Sequence, residues 1–434
     1  MDHVHNEPEP RVFNSATGGQ EVERRRVERK MRIHRQPKTL ITGVGAVEQL
    51  GIEAKKLNGT KVLVVTDQGV SDCGMCIDVE RPLVEAGLEV AFYDRTVPEP
   101  PMSTIQEIVS IVEEGGYDLI VGFGGGSPID VAKAAAVLPN TGDTVYDYVG
   151  IDQVPRKGLP IIAIPTTAGT GSECTAIAIF ANEKLNVKQG LVSPYLMPNV
   201  ALIDPALTVS CPPNVTAASG MDALIHNIEA YISVNATMHT DSLAYEGIKL
   251  ISQSIRTAVF DGTNMWARDS MAMGSMMGGI AFGNAGVGAV HALSYPIGGM
   301  FHVPHGVANT MVLPWAMDYN MLACLRWFRQ FGEALGENMV GLSDREAAVK
   351  AVASLRQLAD DLNVPQYLSD VGIPESAIPD LVEGAKTQVR LWNNNPRKFT
   401  PEDMEQVYRN MAVRPGSEPV KEKKAPAKKA DAKK

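Results

Sequence analysis

Between residues 37 and 211 the chain repeats one pattern: a short apolar run rich in β-branched residues, a polar or glycine turn, and a helix-period segment. The runs are "TKVLVVTDQG", "LEVAFYDRTVP", "YDLIVGFGGGS" and "LPIIAIPTTAGTGSE", with "MSTIQEIVSIVEEGG" and "PIDVAKAAAVL" between them. Apolar runs without polar alternation are strands buried on both faces, which requires a mostly parallel sheet covered by helices. From about Val215 the texture changes. "NVTAASGMDALIHNIEAYIS", "HTDSLAYEGIKLISQSIRTAVF" and "REAAVKAVASLRQLADDL" read as long helices with few strand candidates between them. The fold class expected is therefore an α/β domain with a parallel sheet followed by an all-α domain, with the boundary near Cys211. Residues 36–211 and 212–415 make up the two domains, residues 1–35 an N-terminal extension, and residues 416–434 a Lys-rich tail. "MAMGSMMGGIAFGNAG" is expected to pack helices closely, with methionine as filler.

At 434 residues the chain is long enough for two such domains. Its net charge of −10 hides an asymmetry. The last fourteen residues, "KEKKAPAKKADAKK", hold seven lysines against Glu422 and Asp431, a net of +5, so the remainder carries −15. A body this acidic does not bind nucleic acid nonspecifically, and the tail reads as a solvated end. The stretch "EVERRRVERKMRIHR" reads as a short charged helix with a solvated face, and His3 and His5 receive no role. Five cysteines form an odd, dispersed set, and the N-terminal residues offer no apolar secretory segment, so reduced thiols in a cytoplasmic protein are expected. No apolar run is long enough to span a bilayer. Cys73 and Cys76 form a CxxC without a second pair to complete a zinc site, and are read as incidental.

"DLIVGFGGGSPIDVAKAAA" is a strand, a glycine turn and a helix. Gly124, Gly125 and Gly126 let a ligand approach the backbone, Ser127 is expected to cap the helix that Pro128 opens, and the free N–H groups there suit a diphosphate. Thr166, Thr167, Thr170 and Ser172 of "IPTTAGTGSE" fall on the same carboxyl edge of the sheet. Asp67 ends the strand "KVLVVTD", where a carboxylate accepts hydrogen bonds from ribose hydroxyls and repels a 2′-phosphate. NAD rather than NADP is the expected dinucleotide.

In "GMDALIHNIEAY" Asp222 and His226 stand four apart on one helix face and can share a metal. Three further imidazoles of this half, His291, His302 and His305, could join them. One carboxylate with imidazoles suits Fe²⁺, with Zn²⁺ as the alternative. A dinucleotide facing a Lewis acid points to hydride transfer at an alcohol carbon.

"GGGSPID", "PTTAGTGSE", "GMDALIHNIEAY" and "GVGAVHALSYPIGGMFHVPHGVANTMVLP", in this order, resemble the iron-containing (group III) alcohol dehydrogenase family from about residue 37 to 410. The resemblance implies a Rossmann-like N-terminal domain and a helical metal-binding domain, the arrangement shared with dehydroquinate synthase, with the active site between them. It implies metal ligation by Asp222, His226, His291 and His305. It implies cofactor contacts from Gly125, Gly126, Ser127, Asp130, Thr166, Thr167, Thr170, Thr175 and Lys188, with Asp67 at the position associated with NAD. Many alcohol-reducing members carry a histidine where this chain has Tyr295, whose phenol is a poor base at neutral pH. Tyr295 and His302 are the candidates for a proton relay. A similar Tyr-Pro step in branches acting on hydroxyacids such as 4-hydroxybutyrate hints at a hydroxyacid or another functionalised small alcohol. The function expected is NAD(P)-linked alcohol oxidation or aldehyde reduction by a homodimer or larger homo-oligomer. A hydroxyacid–oxoacid transhydrogenase or a dehydroquinate synthase-like lyase are the alternatives.

Overall fold

Six parallel strands form the central sheet in the order β1-β9-β6-β4-β2-β3 of a computed structural model that describes residues 31–420 except 186 and 419. Residues 21–30 of the expected charged N-terminal helix, His3, His5 and nearly all of the Lys-rich tail lie outside the described residues, while residues 31–35, the end of that expected helix, are described and not helical. The strands are β1 (Thr39–Thr42), β2 (Lys61–Asp67), β3 (Glu89–Thr96), β4 (Leu119–Gly124), β5 (Gly150–Ile151), β6 (Ile161–Pro165), β7 (Ile177–Asn182), β8 (Val187–Val192) and β9 (Val200–Ile203). The helices of this half are α1 (Leu50–Lys56), α2 (Gln68–Asp72), α3 (Cys76–Glu85), α4 (Met102–Gly115) and α5 (Gly126–Val137). All six residues of β4 and all five of β6 are buried, as continuous apolar strands covered on both faces must be.

With edge strand β1 set aside, the order β3-β2-β4-β6-β9 is the 2-1-3-4-5 pattern of a doubly wound sheet. Its topological switch point lies between β2 and β4, so their carboxyl ends, at Asp67 and Gly124, border the crevice where such sheets bind ligands. Gly124 has φ +146, and a Cβ there would stand 2.8 Å from the Pro128 ring and 3.2 Å from the Asp67 carboxylate. Only glycine lets the chain turn this tightly between strand and helix. A second sheet, β5-β8-β7, has β7 and β8 antiparallel and was not visible as a separate element in the repeat.

Beyond β9 the described residues hold no strand. The helices are α6 (Pro213–Ile232), α7 (Met238–Phe260), α8 (Met265–Ala285), α9 (Ala289–Phe301), α10 (His305–Asn320), α11 (Leu325–Ala334), α12 (Asp344–Asp361), α13 (Ile378–Lys386), α14 (Val389–Trp392) and α15 (Pro401–Asn410). The residues from His34 onward form one compact unit. The Met/Gly-rich stretch forms α8 and packs closely, as expected: a Cβ on Gly274 would meet Ile251 at 2.6 Å, and one on Gly278 would meet Asn227 at 2.5 Å. A close backbone approach joins the halves. Gly171, at φ +59 in the loop after β6, lies so near Gly279 of α8 that a Cβ on Gly279 would come within 2.6 Å of the Gly171 carbonyl oxygen.

Because both backbones meet there, neither can yield as a flexible side chain would. Gly279→Val is therefore expected to destabilise the protein by about 1–3 kcal/mol, read as a lower denaturant midpoint. An unchanged midpoint would show that the two halves do not bear on this contact.

Candidate active site

α6 opens at Pro213, which loses nothing at a first helical position, and runs twenty residues into the core. Asp222, His226 and Glu229 follow one another at i, i+4 and i+7 on one face, and they are 2%, 5% and 2% exposed. α9 carries His291 and, one turn later, Tyr295. It ends at His302, whose φ of +55 reverses the chain so that α10 can begin at His305. Asn309 lies one turn into α10 and is fully buried.

Four side chains from these three helices converge. His226 Nε2 and His291 Nε2 face each other at 3.1 Å. Asp222 Oδ1 lies 3.9 Å from His226 Nε2, 3.8 Å from His291 Nε2 and 3.9 Å from His305 Nε2. Donor atoms around an ion with bonds of about 2.0–2.1 Å in tetrahedral array stand roughly 3.3–3.4 Å apart, so the spacing fits a first-row divalent ion. Asp222, His226 and His291 are the only group of three or more such residues that close together among the described residues. The outer nitrogens are engaged elsewhere. His291 Nδ1 bonds Glu229 Oε2 at 2.5 Å, while Glu229 Oε1 accepts from the Val290 N–H at 2.7 Å. His226 Nδ1 lies 3.3 Å from the Gly169 carbonyl. Both imidazoles must carry their proton on Nδ1 to make these bonds, which leaves the facing Nε2 lone pairs free to bind a cation. Asn309 Nδ2 donates to Asp222 Oδ1 at 2.7 Å and reaches His305 Nε2 at 3.1 Å, and its Oδ1 accepts from the Ser294 hydroxyl.

The protonation states suit the same role. Burial holds His226 below its ordinary value and takes His305 down to about 3, so both rings are neutral. Burial pushes the Asp222 carboxyl up, but the surrounding imidazoles and the Asn309 amide outweigh it and hold it below the usual range. An ionised carboxylate among neutral imidazoles is the form that binds metal.

These residues form one end of a cavity of about 210 Å³. Gly126, Ser127, Asp130, Thr170 and Thr175 line the sheet side of it. α5 begins at Gly126 with Gly125 as its N-cap, so Ser127 is not the cap expected from the sequence. The glycine turn takes the helix back one residue further, and Ser127 lies in the first turn beside Pro128, which has no N–H to leave unsatisfied. Among the described residues the Gly126 and Ser127 N–H groups donate to no acceptor at this helix end. Asp67 stands at the switch point with Oδ1 accepting from the Val70 N–H at 3.0 Å, and Thr166 holds the glycine turn through its N–H to the Gly124 carbonyl at 2.9 Å. Thr167 faces Gly125. Asp67, Thr166 and Thr167 border the turn rather than the cavity.

Asp130 accepts from the Ser172 hydroxyl and, at 2.9 Å, from the Ile179 N–H. One turn on, the fully buried Lys133 donates to Ser172 Oγ at 2.7 Å, Thr175 Oγ1 at 3.1 Å and the Ile177 carbonyl at 2.9 Å. Together they fasten the loop after β6 to α5. Glu173 in that loop is 2% exposed, and burial pushes its carboxyl up to about 7 against the pull of its own N–H and Lys133. Lys188 of β8 pairs with Glu99 at 2.6 Å and lies 6.0 Å from the Tyr295 ring. The Tyr295 ring is 6.3 Å from His291 and 5.8 Å from His305, and burial raises its phenol above the ordinary value. His302 is exposed and does not line the cavity. Lys133, Glu229, Asn309 and Arg390, which also lines the cavity, are absent from the sequence reading. The signals for two of them were a lone lysine in an all-apolar helix stretch and a carboxylate at the next face position after Asp222 and His226.

Two family profiles cover the chain: "Iron-containing alcohol dehydrogenase" matches residues 37–205, and "Fe-containing alcohol dehydrogenase family, C-terminal" matches residues 216–412. The chain belongs to the iron-containing alcohol dehydrogenase family. It is thereby an oxidoreductase of the alcohol dehydrogenase and aldehyde reductase kind. Within this family it is similar to long-chain-alcohol dehydrogenase 1 of Geobacillus thermodenitrificans, at 44% identity over 84% of this chain and 93% of that protein. It is 36% identical to the NAD-dependent methanol dehydrogenase of Bacillus methanolicus over 86% of this chain and 98% of that one. The crystal structure of a 1,3-propanediol oxidoreductase superposes with a TM-score of 0.86 at 37% identity, over 88% of this chain and all of that one. The Rossmann-like sheet followed by a helical half is thus the architecture of the family.

Glu229→Gln weakens the bond that orients His291 while keeping its shape, and should lower affinity for a divalent ion about 10–100-fold. Metal retained after dialysis against a graded chelator series measures this, and unchanged retention would remove Glu229 from the site. Glu173 supplies a pH test. Its folded value of about 7 lies above the unfolded value of about 4.3, so the folded state holds a proton that the unfolded chain releases. Its contribution to stability is full below the unfolded value and declines as pH rises through 7. Glu173→Gln should match the parent at pH 4 and exceed it in thermal midpoint at pH 8, and equal midpoints at both would contradict the assignment.

Proposed function

We propose that the chain is a metal-dependent, NAD-linked alcohol dehydrogenase and aldehyde reductase whose ion, Fe²⁺ or else Zn²⁺, is held by Asp222, His226, His291 and His305. The observation that carries this reading is the pair of facing Nε2 atoms, each freed for coordination by a bond on its other ring nitrogen. The family's description favours iron, and the donor set accommodates either ion. In this reading residues 36–211 bind the dinucleotide and residues 212–415 the metal. The unsubstituted turn at Gly124–Gly126, the free N–H groups at the start of α5 and the Asp67 carboxylate at the switch point support a dinucleotide there, and Asp67 favours NAD over NADP. A relative bearing NAD dependence in its name supports the same choice.

When bound, the ion supplies Lewis acidity at the substrate oxygen and the nicotinamide supplies or accepts the hydride. The chain's own residues set the stage. Phe282 stacks on His226 at 4.3 Å between ring centroids and keeps water from that face. Lys133 and Asp130 hold Ser172 and Thr175 against the cavity, where with Thr170 they border the cofactor. Lys188, paired to Glu99, stands between the cofactor side and Tyr295. Tyr295 is protonated at neutral pH and serves as hydrogen-bond donor toward the substrate oxygen. Of the two relay candidates it is the one that lines the cavity, so we assign the proton-holding role to it rather than to His302.

The proposal extends to a cytoplasmic homo-oligomer. The acidic composition and the odd, dispersed set of five cysteines support the former. Among the described residues no single helix is long and apolar enough to cross a membrane.

The decisive experiment is an alcohol and aldehyde screen with NAD and with NADP on protein whose metal content has been assayed. NADH should accumulate with alcohol, whereas turnover only with an oxoacid present and no free NAD would favour a transhydrogenase. Asp222→Ala should lose both metal and at least about 100-fold in kcat, and retained turnover would overturn the metal reading. Tyr295→Phe should lower kcat about 10-fold or more, while His302→Ala leaves it within about 2-fold. The reverse ranking would transfer the relay to His302.

A further inference from the structure

Nine ionisable side chains line the cavity; apart from the Tyr295 phenol there are eight, and seven of these have partners. Glu99 and Lys188 form an ion pair, Asp130 accepts two hydrogen bonds, and Asp222 and the three imidazoles make up the cluster described above. The eighth, Arg390, has no hydrogen bond or ion pair with any described residue. Its place is fixed. Leu391 beside it is 1% exposed and packs in a cluster with Val287 and Ala292, against Phe282 and Tyr295. Trp392 Nε1 donates to the Ala385 carbonyl at 2.8 Å, and Asn394 Nδ2 donates to the Val287 carbonyl at 2.9 Å. α14 is thereby pinned to the loop that opens α9, and Arg390 lines the same cavity as Tyr295.

Arg390 is half-buried in the cavity wall, where a guanidinium without a protein partner is open to an anion, and its planar fork matches a carboxylate or sulfonate through two parallel N–H donors. Phe282 links Arg390's surroundings to the histidine cluster: it stacks on His226 and also packs against the cluster that contains Leu391. We infer that Arg390 is a specificity-determining residue that binds the anionic group of a short aldehyde or alcohol, so that the substrates are small ω-oxo or ω-hydroxy acids, carboxylic or sulfonic, with the reacting oxygen at the histidine cluster. The inference rests on the oxidoreductase reading above and deepens it. Glu99 does not compete for the guanidinium, because Lys188 already holds it at 2.6 Å.

The test compares metal-loaded parent, Arg390→Gln and Arg390→Lys proteins on 4-oxobutanoate, 2-oxoethanesulfonate and the neutral pentanal. Calorimetry of 4-hydroxybutanoate and of 1-pentanol binding gives a readout independent of turnover. The parent should prefer at least one of the anionic aldehydes over pentanal by about 10-fold or more in kcat/KM, and the better of the two identifies the head group. Arg390→Gln should lower kcat/KM for that acid about 10- to 100-fold, chiefly through KM, and leave pentanal within about 3-fold, with Arg390→Lys between. Equal turnover of all three aldehydes by the parent, or equal losses on acid and neutral substrates in Arg390→Gln, overturns the inference while leaving the oxidoreductase reading intact. A rise in KM for NAD alone in Arg390→Gln also overturns it, since the guanidinium would then serve the cofactor. If no aldehyde is turned over but 4-hydroxybutanoate binds in an Arg390-dependent manner, the anion site stands and the oxidoreductase reading fails.

Discussion

Two bonds at the back of two imidazoles govern this structure. His291 gives its Nδ1 proton to Glu229, and His226 gives its own to a backbone carbonyl, so both rings turn their Nε2 lone pairs to a common point. Without a cation that convergence is repulsive, and each buried polar group in it would be expensive if left unpaired. Glu229 could not sit 2% exposed unless His291 and the Val290 N–H satisfied both its oxygens. The crossing of α6, α9 and α10 is the arrangement that meets those demands together. The apolar faces packed around them hold the helices at that spacing, and the polar cluster specifies which residues meet.

The strands and long helices were legible in the sequence because each rests on a local signal. Continuous β-branched runs mark strands covered on both sides, and the change to helical periodicity after "VALIDPALTV" coincides with the last strand. Asp222 with His226 was legible for the same reason, since i and i+4 share a face whatever the tertiary fold. The separate roles of His291, His302 and His305 were not. Their spacing is set by where α9 stops, which depends on the left-handed turn at His302, and only the family's pattern distinguished them beforehand. Lys133 and Arg390 escaped notice because a lone basic residue has no meaning until its neighbours are known. One is completely enclosed by three acceptors, and the other is left without any among the described residues. The cap of α5 was misplaced by the ordinary preference for serine, which a glycine able to adopt the tight turn overrode.

The loop after β6 explains how two halves with separate cores form one site. Within a few residues it supplies the Gly169 carbonyl to His226, Thr170 to the cavity wall, Gly171 to the backbone contact with α8, and Ser172 and Thr175 to Lys133. Each contact restrains the same short stretch from a different direction. Displacing the loop away from α8 would tilt an imidazole, and displacing it away from α5 would leave a buried ammonium without acceptors. Hydride transfer is sensitive to the separation and alignment of donor and acceptor carbons. A loop bound to α5, on the proposed cofactor side, and to a candidate metal ligand at once fixes that separation through covalent geometry and buried hydrogen bonds. Under the proposed function, the cleft can then present opposite surfaces to a dinucleotide and a substrate without relying on the two cores to find their alignment by surface packing alone.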